Sequence, residues 1–149
     1  MRLQQKDWSC GPAALVNAVQ ALGKHVSERR VRKLAGTTEG GTDEHGLMAA
    51  ARSLGFSASP SSSADAAAAW ALVRSNVLGG RPSILCIDGW GHWVTAVGIV
   101  GERVIVFDPT ETVRNVQENG THSFSRRELL RRWRHRTEEE PFYAVAIGR

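Results

Sequence analysis

Cysteine is scarce: Cys10 and Cys86 are the two in 149 residues. So sparse a pair does not make the disulfide framework of a small secreted domain. No apolar run approaches the roughly 20 residues of a membrane-spanning helix, because Asp, Arg, His or Gly interrupts each one. The opening stretch, Met1 to Asp7, is polar and leads almost at once into a motif. It lacks the charged, apolar and small-residue regions of a secretory signal, so a cytoplasmic location is the expectation. There is no internal repeat, and no low-complexity tract beyond short Ser and Ala runs, which excludes solenoids and linker-like chains. What is present is ordinary globular usage, 42% hydrophobic and 23% charged residues. A chain of this length and composition buries a core without staples, and we expect one domain over residues 1–149. The net charge of +4 permits acidic partners without demanding them.

Helical signals dominate the first half. Leu15, Val19 and Leu22 share a face between Pro12 and Gly23, the spacing and stop of an amphipathic helix. Ser27 is a candidate N-cap for a second helix through Val31 and Leu34 to Gly36, and a third follows Thr42 with Leu47, Ala50, Ala51 and Leu54 inward. The polar stretch Phe56 to Ser63, with Pro60, reads as a loop. An Ala-rich helix from Ser63 to Val77 ends at Gly79 and Gly80. There the period changes. Ser83 to Asp88, His92 to Val100, Arg103 to Asp108 and Phe142 to Ile147 are Ile- and Val-rich and read as antiparallel strands. Ser125 with Glu128 forms a capping-box pattern ahead of a helix reaching about Arg136. Helices first, then a sheet with one late helix, is an α+β arrangement.

Cys10-Gly11-Pro12 places a thiol on the opening turn of the first helix. Unpaired N–H groups there carry roughly half a positive charge and pull a cysteine pKa below its free value of about 8.5. A small buried thiol that happens to begin a helix is the plainer alternative. A thiolate nucleophile needs a proton acceptor, and His92 in Gly91-His92-Trp93 is the best-placed candidate, with Asp108-Pro109 offering a carboxylate to hold the imidazole. A two-residue loop at Gly101-Glu102 would pair Val94 with Pro109 and turn Asp108 to the face opposite His92. A three-residue loop pairs Val94 with Asp108 and puts the carboxylate on the face of His92. If the two side chains meet, an odd-length loop or a bulge is required. For an oxyanion, Gln4 could add a side-chain amide to the backbone N–H of Cys10, with Gln5 as its rival.

Taken together, Gln4, Cys10-Gly11-Pro12-Ala13-Ala14-Leu15, Gly91-His92-Trp93-Val94 and Asp108-Pro109 resemble the C39, or bacteriocin-processing, branch of the papain-like cysteine peptidases. The likeness spans nearly the whole chain. It implies an α+β, papain-like fold with an N-terminal helical half packed on a C-terminal antiparallel β-sheet. It also implies Cys10 as nucleophile, His92 as general base and acid, Asp108 as its orienter and Gln4 as oxyanion donor. The implied activity is hydrolysis of a peptide or isopeptide bond through a Cys10 thioester. Passing that thioester to an amine, as an acyltransferase, and silent peptide binding are the alternatives. A departure from the family pattern is Ser9, which stands where members often carry Asp.

Other signals have plainer explanations. Asp43, Glu44 and His45 fan out around a helix start without ligand spacing, so no metal or organic cofactor is implied. His25, His122 and His135 sit among polar residues and read as solvated, and Cys86 between Leu85 and Ile87 reads as a core thiol. The run Arg126, Arg127, Arg131, Arg132, Arg134 and Arg136 reads as a solvated helix face, and with no aromatic platform beside it no nucleic acid is expected. Trp8 and Trp90 flank the proposed nucleophile and base and could wall a cleft, with structural packing the plainer role for either. The expected partner is a peptide or protein substrate.

Overall fold

Side-chain caps start most of the helices. In the computed structural model, which describes residues 4–6, 8–89, 91–109, 121–134 and 141–149, Ser27 accepts from Arg30 N–H to open α2 (Glu28–Ala35). Asp43 does the same from Gly46 for α3 (Glu44–Ser53), and Asp65 from Ala67 for α4 (Ala66–Leu78). Ser125 accepts from Glu128 N–H at the start of α5 (Arg126–Trp133). Each bond satisfies an N–H group that has no intrahelical acceptor. The first helix, α1 (Cys10–Ala21), differs: its N-cap Ser9 makes no side-chain cap bond. The third position of α1 is Pro12, which has no N–H to offer a cap.

Six strands among the described residues form one antiparallel sheet, β1 (Ser57–Ser63), β2 (Ser83–Ile87), β3 (His92–Val100), β4 (Arg103–Phe107), β5 (Thr121–Ser125) and β6 (Phe142–Gly148). Their spatial order is β1-β6-β2-β3-β4-β5. The central strand β2 is buried along its length because helices cover both faces. Ile84, Cys86, Trp93, Val145 and Ile147 pack with Leu15, Val19, Val31 and Leu47 of α1, α2 and α3. Leu85, Ile87, Val94, Val104 and Val106 pack on the other face with Trp70 and Val73 of α4 and Leu129 and Trp133 of α5. Alternate residues of one strand thus serve two cores, which is why β2 reads as an unbroken apolar run. The helical N-terminal half and the sheet stand as the sequence implies, with α4 and α5 added as a second covering layer.

Two strands differ from the expectation. The stretch read as a loop at Phe56 to Ser63 is mostly strand: β1 pairs with β6 from Ser57↔Gly148 to Ser63↔Phe142. Only Ala58 of β1 is buried, so alternation is nearly invisible, and Pro60 is tolerated because the strand lies at the sheet edge. The second, β5, pairs with β4 from Arg103↔Ser125 to Phe107↔Thr121. It buries His122, which is 5% exposed and stacked on Phe124 at 5.8 Å, so the reading of a solvated histidine is wrong. The β4 partner and Phe124 supply the burial that the polar local sequence conceals. His25 is exposed, as expected. His135, Arg136, Trp90 and Asp7 lie outside the described residues.

Candidate active site

Gly11 explains how α1 comes so close to the sheet. A Cβ there would lie 3.2 Å from Trp93 Cδ1 and 3.3 Å from Thr42 Cβ, so only a hydrogen lets the helix start nestle between β3 and α3. Thr95 Oγ1 donates to the Ala14 carbonyl at 2.8 Å, fastening α1 to β3 one turn further on. These contacts set Cys10, half-buried on the first turn, against the beginning of β3.

His92 is the first residue of β3, and Asp108 follows β4 directly. The connecting hairpin is short, with Val100 opposite Arg103 and Gly101 at φ 59° supplying the positive first turn position of a type II′ turn. That loop alone would face Asp108 away from His92. Val97 removes the conflict: Ala96 pairs with Val106 and Gly98 with Ile105, leaving Val97 as a bulge, after which Thr95 pairs with Phe107. One extra residue flips the face of everything beyond it. His92 Nε2 consequently lies 2.7 Å from Asp108 Oδ1, with the carboxylate 1% exposed. Of the two hairpin solutions the sequence allows, the chain adopts the bulge.

With Nε2 committed to Asp108, the other imidazole nitrogen serves Cys10. Burial works against ionisation of the Cys10 thiol, but the His92 side-chain hydrogen bond, the Trp93 backbone N–H, the His92 charge and the Gly11 backbone N–H outweigh it and bring its pKa below the ordinary value. The missing Ser9 cap matters here, since the Gly11 N–H that a capping hydroxyl could engage is aimed at the sulfur instead. For His92, burial disfavours the cation, yet the bonds to Asp108 and Cys10 and their negative charges raise its pKa to about 9. Both shifts favour a thiolate–imidazolium pair. Cys86 behaves oppositely: burial, with the nearby Cys10 charge, pushes it up to about 12. The two thiols are therefore chemically unlike.

The segment before Cys10 is pinned on two sides. Gln4 N–H donates to the Pro109 carbonyl at 2.8 Å, which ties Gln4 to the residue following Asp108. Gln4 Nε2 donates to the Lys6 carbonyl at 2.6 Å, and Ser9 Oγ accepts from Lys6 N–H at 2.9 Å. Gln5 is engaged elsewhere, its N–H on Glu28 and its side-chain oxygen accepting from Arg32. Of the two, Gln4 is the one tied to the chain next to Asp108, through Pro109. A cleft opens beside the thiol, lined by Trp8, Cys10, Glu39 to Thr42, Gly91 and Trp93. Trp93 is held by its indole N–H on the Thr42 carbonyl at 3.1 Å. The Glu39 to Thr42 wall was missed by sequence reading; its turn, closed by Gly41 N–H on the Thr38 carbonyl at 2.9 Å, carries no chemical motif to find. Among the described residues no set of three His, Cys, Asp or Glu side chains is placed to hold a metal, and no helix is long and apolar enough to cross a membrane.

Comparison with known proteins identifies the fold and the family. The chain covers 99% of its length against 96% of the peptidase domain of Streptococcus ComA, a bifunctional ABC transporter of a quorum-sensing pathway, with a TM-score of 0.76 at 21% identity. A double-glycine-motif protease from an AMS/PCAT transporter, solved with its leader peptide, matches 98% of this chain and 88% of its own with a TM-score of 0.73 at 18% identity. At these identities the likeness is one of fold. An uncharacterized protein of Methanothermobacter marburgensis is 51% identical over 55 residues, which are 37% of this chain and 39% of that protein. A second, from Methanothermobacter thermautotrophicus, is 45% identical over 56 residues, 38% of this chain and 39% of its own; the match thus spans about two fifths of these relatives. The peptidase C39 family model matches residues 1–135, most of the chain and all of the residues just described around Cys10, and the protein belongs to the peptidase C39 family.

Proposed function

We propose that residues 1–149 form one working cysteine peptidase domain that cleaves peptide bonds by way of a Cys10 thioester. The observation that carries this reading is the placement of His92 between Cys10 and Asp108, with 2.7 Å to the carboxylate and a hydrogen bond to the thiol. A nucleophile, a base and an orienter in sequence-distant segments seldom converge without a catalytic reason. The Cys10 thiolate attacks the substrate carbonyl, and the oxyanion is met by the Cys10 backbone N–H and by the second N–H of the Gln4 amide, the first being given to the Lys6 carbonyl. The His92 imidazolium then gives its proton to the departing amine, leaving an acyl-enzyme. Water, deprotonated by the now neutral His92, attacks the thioester and releases the acid with Cys10 as thiolate, which restores the thiolate–imidazolium pair. Asp108 keeps the ring in the required orientation and stabilises its cation throughout. The solved complex of the double-glycine protease with its leader peptide supports a peptide as the occupant of the cleft beside Trp93.

Site-resolved alkylation with iodoacetamide across pH tests the activated thiol. Cys10 is expected to react below neutrality while Cys86 stays protected, and His92→Ala to move the onset of Cys10 labelling to higher pH. Equal labelling of both thiols in the folded wild-type chain overturns the reading. A peptide library then tests cleavage, with Cys10→Ala expected to remove all of it.

A further inference from the structure

The arginine run of α5 is not uniformly a solvated face. Arg127, Arg131 and Arg134 are exposed, but Arg132 folds back onto the turn that precedes His92. Its Nε donates to Asp88 Oδ1 at 3.1 Å and its Nη2 to Asp88 Oδ2 at 2.7 Å. The Asp88 N–H in turn donates to the Arg132 carbonyl at 2.8 Å, which occupies an acceptor that the end of a helix leaves unused. Three bonds thus join one residue of α5 to one residue of the turn. Asp88 is the sole non-glycine residue of positive φ among the described residues, at 54°, a conformation that persists where the surroundings impose it. The turn closes through Gly91 N–H on the Asp88 carbonyl at 3.2 Å. A Cβ on Gly91 would fall 2.9 Å from that oxygen, so the closure is tight. The next residue is His92.

We propose that Arg132 and Asp88 are positioning residues for His92, the ion pair holding the Asp88 to Gly91 turn in the one shape that aims the imidazole at both Cys10 and Asp108. The proposal rests on the reading of His92 as the catalytic base. A bidentate guanidinium–carboxylate pair fixes direction as well as distance, and here the guanidinium is held from a further side by the Phe124 ring at 5.4 Å. Without it the Asp88 main chain keeps only its bonds to the Arg132 carbonyl and the Gly91 N–H, and its side chain is no longer fixed in direction. A relaxed turn would swing the first residue of β3 and lengthen the 2.7 Å contact to Asp108. The charged and titratable groups around His92 are Asp108 at the end of β4, Cys10 on α1 and Cys86 on β2. Those around Arg132 are Asp88, Asp108, Glu128 on its own helix and His122 on β5.

Titration of the His92 imidazole by NMR is the test, in the wild-type chain and in Arg132→Gln, Arg132→Lys, Asp88→Gly and Arg131→Gln. Removing a nearby cation would by charge alone raise the pKa of a histidine, so a fall in Arg132→Gln has to come from lost geometry. The expected result is a downward shift of about one unit or more in both Arg132→Gln and Asp88→Gly. Arg132→Lys, which keeps the charge and loses the fork, is expected between these and wild type, and Arg131→Gln is expected to match wild type. Loss of the Asp88 carboxylate lowers a histidine pKa by charge as well, so Arg132→Lys, which keeps the charge, decides the matter by a fall in the His92 titration should Arg132→Gln fail to fold. An unchanged or raised His92 titration in folded Arg132→Gln, even with a lowered melting temperature, overturns the proposal. So does an unchanged titration in Asp88→Gly. Peptide cleavage is a separate readout: a chain that cuts no peptide defeats the functional reading while the imidazole shift still decides the positioning role.

Discussion

His92 reaches Asp108 because β3 carries a residue, Val97, that has no partner on β4. The carboxylate and the imidazole are 16 positions apart and would face opposite sides of the sheet in an unbulged hairpin with the same turn. Deleting Val97 should therefore rotate Asp108 away without changing a single functional side chain. Peptide cleavage is expected to fall roughly a hundredfold or more, the scale of losing a histidine's orienting carboxylate. Steady-state kinetics beside Asp108→Ala checks it; a deletion variant that folds and retains wild-type kcat would separate the bulge from catalysis.

The directions of the Cys10 and His92 shifts set the pH behaviour. The thiolate–imidazolium pair is present between the lowered pKa of Cys10 and the raised pKa of His92. A plot of kcat/KM should rise with pH as Cys10 ionises and decline near pH 9, where His92 loses its proton; the two limbs belong to the coupled pair. In Cys10→Ala, His92 loses one of its two anionic neighbours, and its NMR titration is expected to move below 9 while staying above 6.5 because Asp108 remains.

Stability follows from the same shift. The folded chain keeps a proton on His92 that the unfolded chain releases above about 6.5, so the His92 contribution to unfolding free energy declines as pH rises from 6.5 through about 9. Cys10 works in the other sense: its lowered folded pKa adds stability above its ordinary value of 9.0 and loses it as pH falls through the folded value. Over this window the two contributions offset each other in wild type, so its urea melts from pH 6 to pH 10 should change little there, whereas Cys10→Ala, which keeps only the His92 contribution, should show a decline that the Cys10→Ala, His92→Ala double variant lacks.

Gly11→Ala tests the close approach of α1. The new methyl meets Trp93 and Thr42 at 3.2 and 3.3 Å, neither of which is the loose end of a flexible side chain. A cost of about 1–3 kcal/mol, typical of overpacking, is expected in denaturant melts. Cys10 alkylation at pH 6 should slow as the helix start moves off β3.

Thr95→Val tests the fastening of that helix one turn later. It removes the 2.8 Å bond to Ala14 at a position with no solvent exposure. Loss of about 1 kcal/mol is the scale of one such bond, and hydrogen exchange in α1 should quicken.

Much of this arrangement can be read from local sequence, and the parts that cannot have physical reasons. The Ser27 and Ser125 caps, the α1 apolar face and the need for an odd loop or bulge between His92 and Asp108 are local rules applied to local residues. Strand β1 is different, because serines flanking Pro60 show no alternation and become a strand only through β6, some 80 residues later. His122 is polar in polar company until Phe124 and β4 enclose it. Arg132 is one arginine among several, and only the position of Asp88, 44 residues earlier, separates it from its solvated neighbours. Cys10, His92 and Asp108 come together in space, with Gln4 hitched to Pro109, whereas the wall from Glu39 to Thr42 is main chain and has no signature to notice.

Cys86 lies fully enclosed between β2 and the α1 layer. A reagent can reach it only when that layer lifts, an excursion that also parts Cys10 from His92. The lag between modification of the first and second sulfur is thus a clock for how often the two halves of the molecule separate, read in native buffer and without a denaturant.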